Sequence, residues 1–155
     1  MLDRVVSGGQ TGADLAGWRA AKVCGIPTGG WMPLGFLTED GPRPEFAGLY
    51  GATEMLTDDY PSRTRRNVLE SSATIWFGSL DSHGYLTTER ACLRYGRAMF
   101  KVAEGENQPA DVVAWLGISS FRTLNVSGNR ESRNPGIEAN VERFLVAVFR
   151  KLAEE

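Results

Sequence analysis

The stretch that most constrains this chain is Ser7-Gly8-Gly9-Gln10-Thr11-Gly12-Ala13-Asp14, which follows the apolar pair Val5-Val6 and opens a helical pattern over residues 13–24. A strand that turns through glycines into a helix N-terminus presents free backbone N–H groups and the positive end of a helix dipole. Glycine lets that backbone approach a ligand closely, so the turn is a candidate anion cradle, most often for phosphate. Gln10 and Thr11 add side-chain donors at the same place. The competing reading is a tight strand-to-helix turn that needs glycine for positive φ and binds nothing. Binding is favoured because open α/β sheets so often bind at this edge.

The rest of the chain repeats the strand–helix alternation. A strand is expected over residues 26–32, broken by Gly29-Gly30. Residues 33–51 are rich in Pro and Gly and read as one long loop, a feature that is usually functional or mobile. A short strand over 52–56 precedes a helix over 62–71, with Arg63 and Asn67 one turn apart. The apolar run 73–77 reads as a central strand, followed by a loop over 78–86 and a helix capped by Thr87 or Thr88. A strand over 99–102, a polar loop over 104–108 and a helix begun by Pro109 follow. A last strand, 123–126, leads through Ser127–Ser132 to a helix started by Asn134-Pro135. Its stripe of Ile137, Val141, Phe144, Leu145, Val148 and Leu152 is the best helical periodicity in the chain. The pattern predicts one α/β domain, Rossmann-like and doubly wound, with a mainly parallel sheet and helices on both faces.

In such a sheet the loops after the strands share one rim, where distant residues meet. That rim offers glycines, Gln10, Thr11, Thr87, Thr88, Ser127, Asn129 and Arg130, with Arg63 joining if its helix leans over. The set suits a phosphorylated heterocycle, arginine matching phosphate in a bidentate way. Asn125, Ser127 and Asn129 could equally satisfy turn backbone. Asp14, in a first helical turn, reads as a dipole partner that could also take a ribose or pterin N–H. Glu131, between Arg130 and Arg133, reads as an ion-pair partner. Trp31, Trp76 and Trp115 read as core.

With 17 basic and 19 acidic residues the net charge is −2, so no bulk field draws the chain to nucleic acid or a membrane. His83 is the sole histidine, and Cys24 and Cys92 have no metal spacing near them, so no metal site and no catalytic constellation can be assembled. Residues 1–20 lack a signal-peptide apolar region, and the two cysteines read as reduced core thiols of a cytoplasmic protein.

The first turn and Asn125-Val126-Ser127-Gly128-Asn129-Arg130-Glu131-Ser132 together resemble one family. So do Gly29-Gly30-Trp31-Met32-Pro33, Glu39-Asp40-Gly41-Pro42 and Tyr60-Pro61-Ser62-Arg63-Thr64 with Asn67, in matching order. The chain is similar, from Val5 to about Leu145, to the molybdenum (cofactor) carrier family, a circularly permuted branch of the LOG-like Rossmann proteins, the SLOG superfamily.

That resemblance implies a phosphorylated small molecule, a molybdopterin-type cofactor or a nucleotide, held without chemical change, and a homo-oligomer. Gly8, Gly9, Gln10, Thr11, Gly12, Asp14 and Gly30 would form one part of the site, and Gly84, Thr87 and Thr88 a second cradle. Arg63, Asn67, Gly128, Arg130, Glu131 and Ser132 would complete it. Enzymatic LOG relatives, which cleave the base from a nucleoside monophosphate, carry Pro-Gly-Gly-x-Gly-Thr-x-x-Glu. Here Ser82-His83-Gly84-Tyr85-Leu86-Thr87-Thr88-Glu89 lacks the Pro and the glycine pair, and its Glu stands two residues after Thr87 rather than three. The balance leans to a carrier. A phosphoribohydrolase with Glu89 as base and Arg90 or Arg94 on phosphate, and a nucleotide-sensing domain, remain the alternatives.

Overall fold

The computed structural model describes residues 2–103, 105–118 and 120–155. Of the polar loop expected over 104–108, Glu104 lies outside the described residues. In chain order the elements begin β1 (Arg4–Ser7), α1 (Ala13–Val23), β2 (Thr28–Met32), β3 (Leu37–Thr38), β4 (Gly41–Pro42), α2 (Phe46–Tyr50) and β5 (Ala52–Glu54). They continue with α3 (Tyr60–Leu69), β6 (Ala73–Phe77), α4 (His83–Tyr95), β7 (Ala98–Val102), α5 (Pro109–Ile118), β8 (Thr123–Gly128) and α6 (Ile137–Glu154).

Six strands form one sheet in the order β5-β2-β1-β8-β6-β7, all paired in parallel. The expected Rossmann-like architecture is present. Side chains alternate across the pleat, so Val5, Ala73, Ile75, Phe77, Leu124 and Val126 enter the main core under α1, α5 and α6. The α6 stripe completes it, with Ile137, Val141, Leu145 and Val148 all buried. Trp76 turns to the other face, where its ring meets Tyr85 of α4 edge to face at 5.5 Å, and α4 packs there on α3. Gly17 of α1 sits on Val126, where an added Cβ would stand 2.6 Å from the valine Cβ. The small residues of α1 therefore set the close approach of helix to sheet.

Four local expectations are corrected. First, β2 is not broken at its glycines: Gly29 pairs with Val6 and Gly30 with Ala52. A Cβ on Gly30 would stand 2.3 Å from the Ser7 carbonyl oxygen, so the strand itself requires glycine there. Second, residues 33–51 are not one loop. They contain the β3–β4 hairpin and α2, whose Phe46 and Tyr50 cluster on buried Trp18. Burial of aromatic surface organises this segment despite its Pro and Gly content.

Third, α4 starts four residues before the Thr pair. Ser82 is its N-cap, accepting from the Tyr85 N–H at 3.1 Å, and Thr87 and Thr88 lie inside the helix. Fourth, α6 starts at Ile137 after Gly136, which holds φ of 93°, so Asn134-Pro135 neither caps nor opens it. Glu131 does that work instead. Its carboxylate accepts from the N–H of Gly136 at 2.7 Å and of Glu138 at 3.0 Å. The ion-pair reading of Glu131 gives way to a helix N-terminal one, because two orphan N–H donors outcompete a solvated guanidinium.

Candidate functional site: a cationic crevice at the strand ends

The C-terminal ends of β1, β8 and β6 and the N-terminal halves of α3 and α4 enclose a crevice of about 350 Å³. Gly8, Gln10, Asp14, Arg63 and Asn67 line it, with Gly84, Thr87, Thr88, Gly128 and Arg130. Ten of the sequence-predicted residues therefore meet there.

At its centre lies Arg63, 8% exposed. Its Nη1 donates to the Gly8 carbonyl oxygen at 2.6 Å and stands 3.4 Å from Asp14 Oδ2. A Cβ on Gly8 would fall 1.9 Å from that nitrogen, so glycine at this position makes room for the guanidinium. Arg63 Nε is buried and has no partner among the described residues. An unsatisfied buried N–H of a charged group is costly, and this one belongs to a residue of the crevice wall. Burial raises the Asp14 carboxyl to about 6, with Arg63 and the Gln10 and Gly8 N–H groups opposing the rise.

Arg130, Arg133 and His83 add positive or donor groups to the wall, while Asp14 is the one carboxylate among the described lining residues. The α4 N-terminus opens into the same space through Ser82, His83 and Gly84, with the unpaired N–H groups of a first turn. The crevice thus offers guanidinium, hydroxyl and helix N-terminal donors to an oxyanion. Thr88 is committed in part, since its hydroxyl donates to the Gly84 carbonyl at 2.8 Å.

Other predicted residues stand outside the crevice. The first-turn N–H groups already have protein acceptors: Gly9 donates to Ser7 Oγ, Gln10 to Asp14, Thr11 to the Gln10 side chain and Gly12 to Glu138. In this structure the protein's own side chains occupy the expected cradle. Gly9 and Gly12 take φ of 73° and 81°, and added Cβ atoms would meet Met32 and the Asn129 carbonyl oxygen. Their glycine requirement is one of backbone conformation and packing together. Gly30 lies within β2, and Asn67 brackets Trp31 next to it, accepting from its N–H at 2.8 Å and donating to its carbonyl at 3.0 Å.

Thr11 and Ser132 converge instead on Glu39, at the tip of the β3–β4 hairpin. Both hydroxyls donate to its carboxylate, the Ser132 N–H donates at 3.2 Å, and Arg130 Nε stands 3.6 Å away. The Glu39 N–H donates in turn to Gln10 Oε1 at 2.9 Å. Burial pushes the Glu39 carboxyl up, but these hydrogen bonds and Arg130 outweigh it and hold it below its ordinary range. Glu39 was absent from the sequence-predicted site, and its quoted Glu39-Asp40-Gly41-Pro42 stretch was the available signal. Ser82 and Arg133 were missed too; a serine just before a helix is an N-cap signature.

Glu89 faces away from the crevice. It accepts from the Tyr85 hydroxyl and stands 3.4 Å from Lys101 Nζ. The Tyr85 bond, opposed by slight burial and aided by Lys101, holds its carboxyl below the ordinary range. Glu89, Arg90 and Arg94 do not line the crevice. Among the described residues no group of three or more His, Cys, Asp or Glu side chains could hold a metal ion, and no helix is long and apolar enough to cross a membrane.

Comparison with known proteins agrees with this architecture. A solved structure from Syntrophus aciditrophicus SB, described as "Putative molybdenum carrier protein", superposes with a TM-score of 0.86 at 33% sequence identity, covering 96% of this chain and 94% of that one. No curated protein matches the sequence. The circularly permutated YpsA SLOG family matches residues 5–149. The permuted order is visible in the sheet itself, where the last strand, β8, lies between β1 and β6. The chain therefore belongs to the circularly permutated YpsA SLOG family.

Proposed function

We propose that this chain binds a phosphorylated small molecule in the Arg63 crevice and carries it without chemical change. The observation that supports this most directly is the buried guanidinium of Arg63, whose Nε lacks a partner among the described residues beside an open α4 N-terminus. The donor set suits a phosphate monoester, the group shared by molybdopterin-type cofactors and nucleotides. Arg63, Thr87, Arg130 and the first-turn N–H groups of α4 would hold that phosphate, with Arg133 and His83 at the mouth. The family's relative described as a molybdenum carrier favours a molybdopterin-type cargo over a nucleotide. In this reading the metal travels as part of the cargo and takes no ligand from the protein. Two free thiols, Cys24 and Cys92, fit a reducing, cytoplasmic setting. Exposed Leu86 and Leu93, two turns apart on α4, support a homo-oligomer, which sedimentation would read.

The test is native mass spectrometry of the purified protein beside calorimetric titration with a nucleoside monophosphate and molybdopterin. Gly84 has open room for a side chain, its ideal Cβ lying 3.6 Å from the Trp76 ring. Gly84→Asp places a carboxylate at the α4 N-terminus and weakens phosphate-bearing ligands by about tenfold or more. Unchanged affinity in a folded Gly84→Asp variant, or no binding of either probe by the native chain, overturns the proposal.

A further inference from the structure

A second and larger cavity, about 690 Å³, opens where β6 and β7 end and α6 begins. The two strands part company there, since β6 leads to α4 on one face of the sheet and β7 to α5 on the other. Divergence of neighbouring connections leaves a crevice outside the carboxyl ends, the place where open α/β sheets take ligands. The volume is in the range that encloses a small organic molecule.

Its walls are of two kinds. Phe77, Val102, Val141 and Phe144 form an apolar slot, the two phenyl rings meeting edge to face at 5.5 Å. Asn107, Asn129, Asn134 and Asn140 stand around it. The amide oxygens of Asn107, Asn129 and Asn140 already accept from the Ala103 N–H, the Ser79 N–H and the Arg143 guanidinium. Their NH2 groups and the Asn134 amide remain, and such donors match the ring nitrogens and carbonyls on the edge of a flat heterocycle. Ser79 lines the same cavity. The two charged residues among the described lining, Asp81 and Arg133, stand 3.9 Å from each other and offset one another.

Asn129 and Arg133 line both this cavity and the Arg63 crevice. Asn129 is a fixed partition. Its Oδ1 accepts from the Ser79 N–H at 2.9 Å, and its own N–H donates to the Phe77 carbonyl at 2.9 Å. We propose that the larger cavity seats a purine- or pterin-type ring and that the ligand passes over Asn129 to place its phosphate in the crevice. This rests on the phosphate reading above for the second half of the ligand only. The slot excludes water from the ring's faces and the amides select its edge.

Calorimetry on the full chain separates the two halves with three probes: ribose 5-phosphate, a purine nucleoside and the corresponding purine nucleoside 5′-monophosphate. Asn140 is exposed on α6, so Asn140→Trp fills the cavity mouth without touching the core. In the native chain the monophosphate binds about tenfold or more tighter than ribose 5-phosphate, the gain expected from burying an aromatic ring. Asn140→Trp removes that gain and leaves ribose 5-phosphate affinity unchanged, while Gly84→Asp weakens both phosphate probes and spares the nucleoside. If Asn140→Trp leaves monophosphate and nucleoside affinity unchanged, the ring does not sit in the larger cavity and the inference is overturned, with the phosphate site intact. If the nucleoside binds and Asn140→Trp blocks it while neither phosphate probe binds, the ring pocket stands and the phosphate reading falls. Failure of all three probes to bind overturns both.

Discussion

A carboxylate buried beside a single guanidinium has two opposing demands, and at Asp14 burial outweighs Arg63 and the backbone donors, raising the carboxyl to about 6. The folded value therefore lies above the unfolded one, near 4. Between the two the folded chain binds more protons than the unfolded chain, so the contribution of Asp14 to stability is present below pH 4 and is lost as pH rises through 6. The loss is roughly 3 kcal/mol, at about 1.4 kcal/mol per pH unit of difference. Urea denaturation at pH 4 and at pH 7 measures it: Asp14→Asn, which cannot ionise, loses less stability across this interval than the native chain by about that amount. An identical pH dependence in the two proteins would mean that Asp14 titrates normally. The glycines around it show a second residue-scale constraint. Gly8 yields space to an arginine, Gly12 to a backbone carbonyl, and Gly136, with open space around it, only to its positive φ.

Glu39 ties the β3–β4 hairpin to the sheet rim. Glu39 joins the loops after β1 and β8 by accepting from Thr11, the Ser132 hydroxyl and the Ser132 N–H. Hydrogen bonds to a charged group are worth about 1.5–3 kcal/mol, against a two-residue strand pair that has little stability alone. Since its folded carboxyl lies below the ordinary range, its contribution is present above the usual glutamate pKa and is lost as pH falls through the depressed value. Glu39→Ala is expected to release the hairpin locally. Hydrogen exchange of residues 37–42 rises by about tenfold or more, while β1 and β8 stay protected. Unchanged exchange in that variant would place the anchoring elsewhere, with Trp18, Phe46 and Tyr50 beneath α2 as the remaining hold.

At the scale of the whole molecule, β8 pairs with β1 over four residues and α6 packs on α1, so the last strand–helix unit already stands where a first one would. A variant that joins the end of α6 to β1 through a flexible linker and begins at Arg122 asks only for a β8–α6–β1 crossover of the ordinary right-handed kind. It should fold to the same sheet, with a melting temperature within roughly 10 °C of the native chain, a shift of about 3 kcal/mol. Loss of the near-UV circular dichroism of the buried Trp18 and Trp76 would show that the native connection between α5 and β8 is needed for folding. Much of the architecture is legible from local patterns: apolar runs bounded by glycine predict β1 and β6, and the stripe from Ile137 to Leu152 predicts α6. The hairpin and α2 escape such reading, because their stability comes from Trp18 and Glu39 contacts with residues distant in sequence. The same limit applies to the site. Sequence alone determined that donors from the loops after β1, β6 and β8 and from α3 could share one rim, since residue type and alternation are local properties. Only the tertiary structure decided that the first turn's N–H groups are taken by Asp14, Gln10 and Glu138, that Glu131 serves α6 and that Arg63 is buried at the centre. Hydrogen-bond partners are chosen by which groups the packed chain brings within bonding distance, and no spacing along the chain encodes that choice.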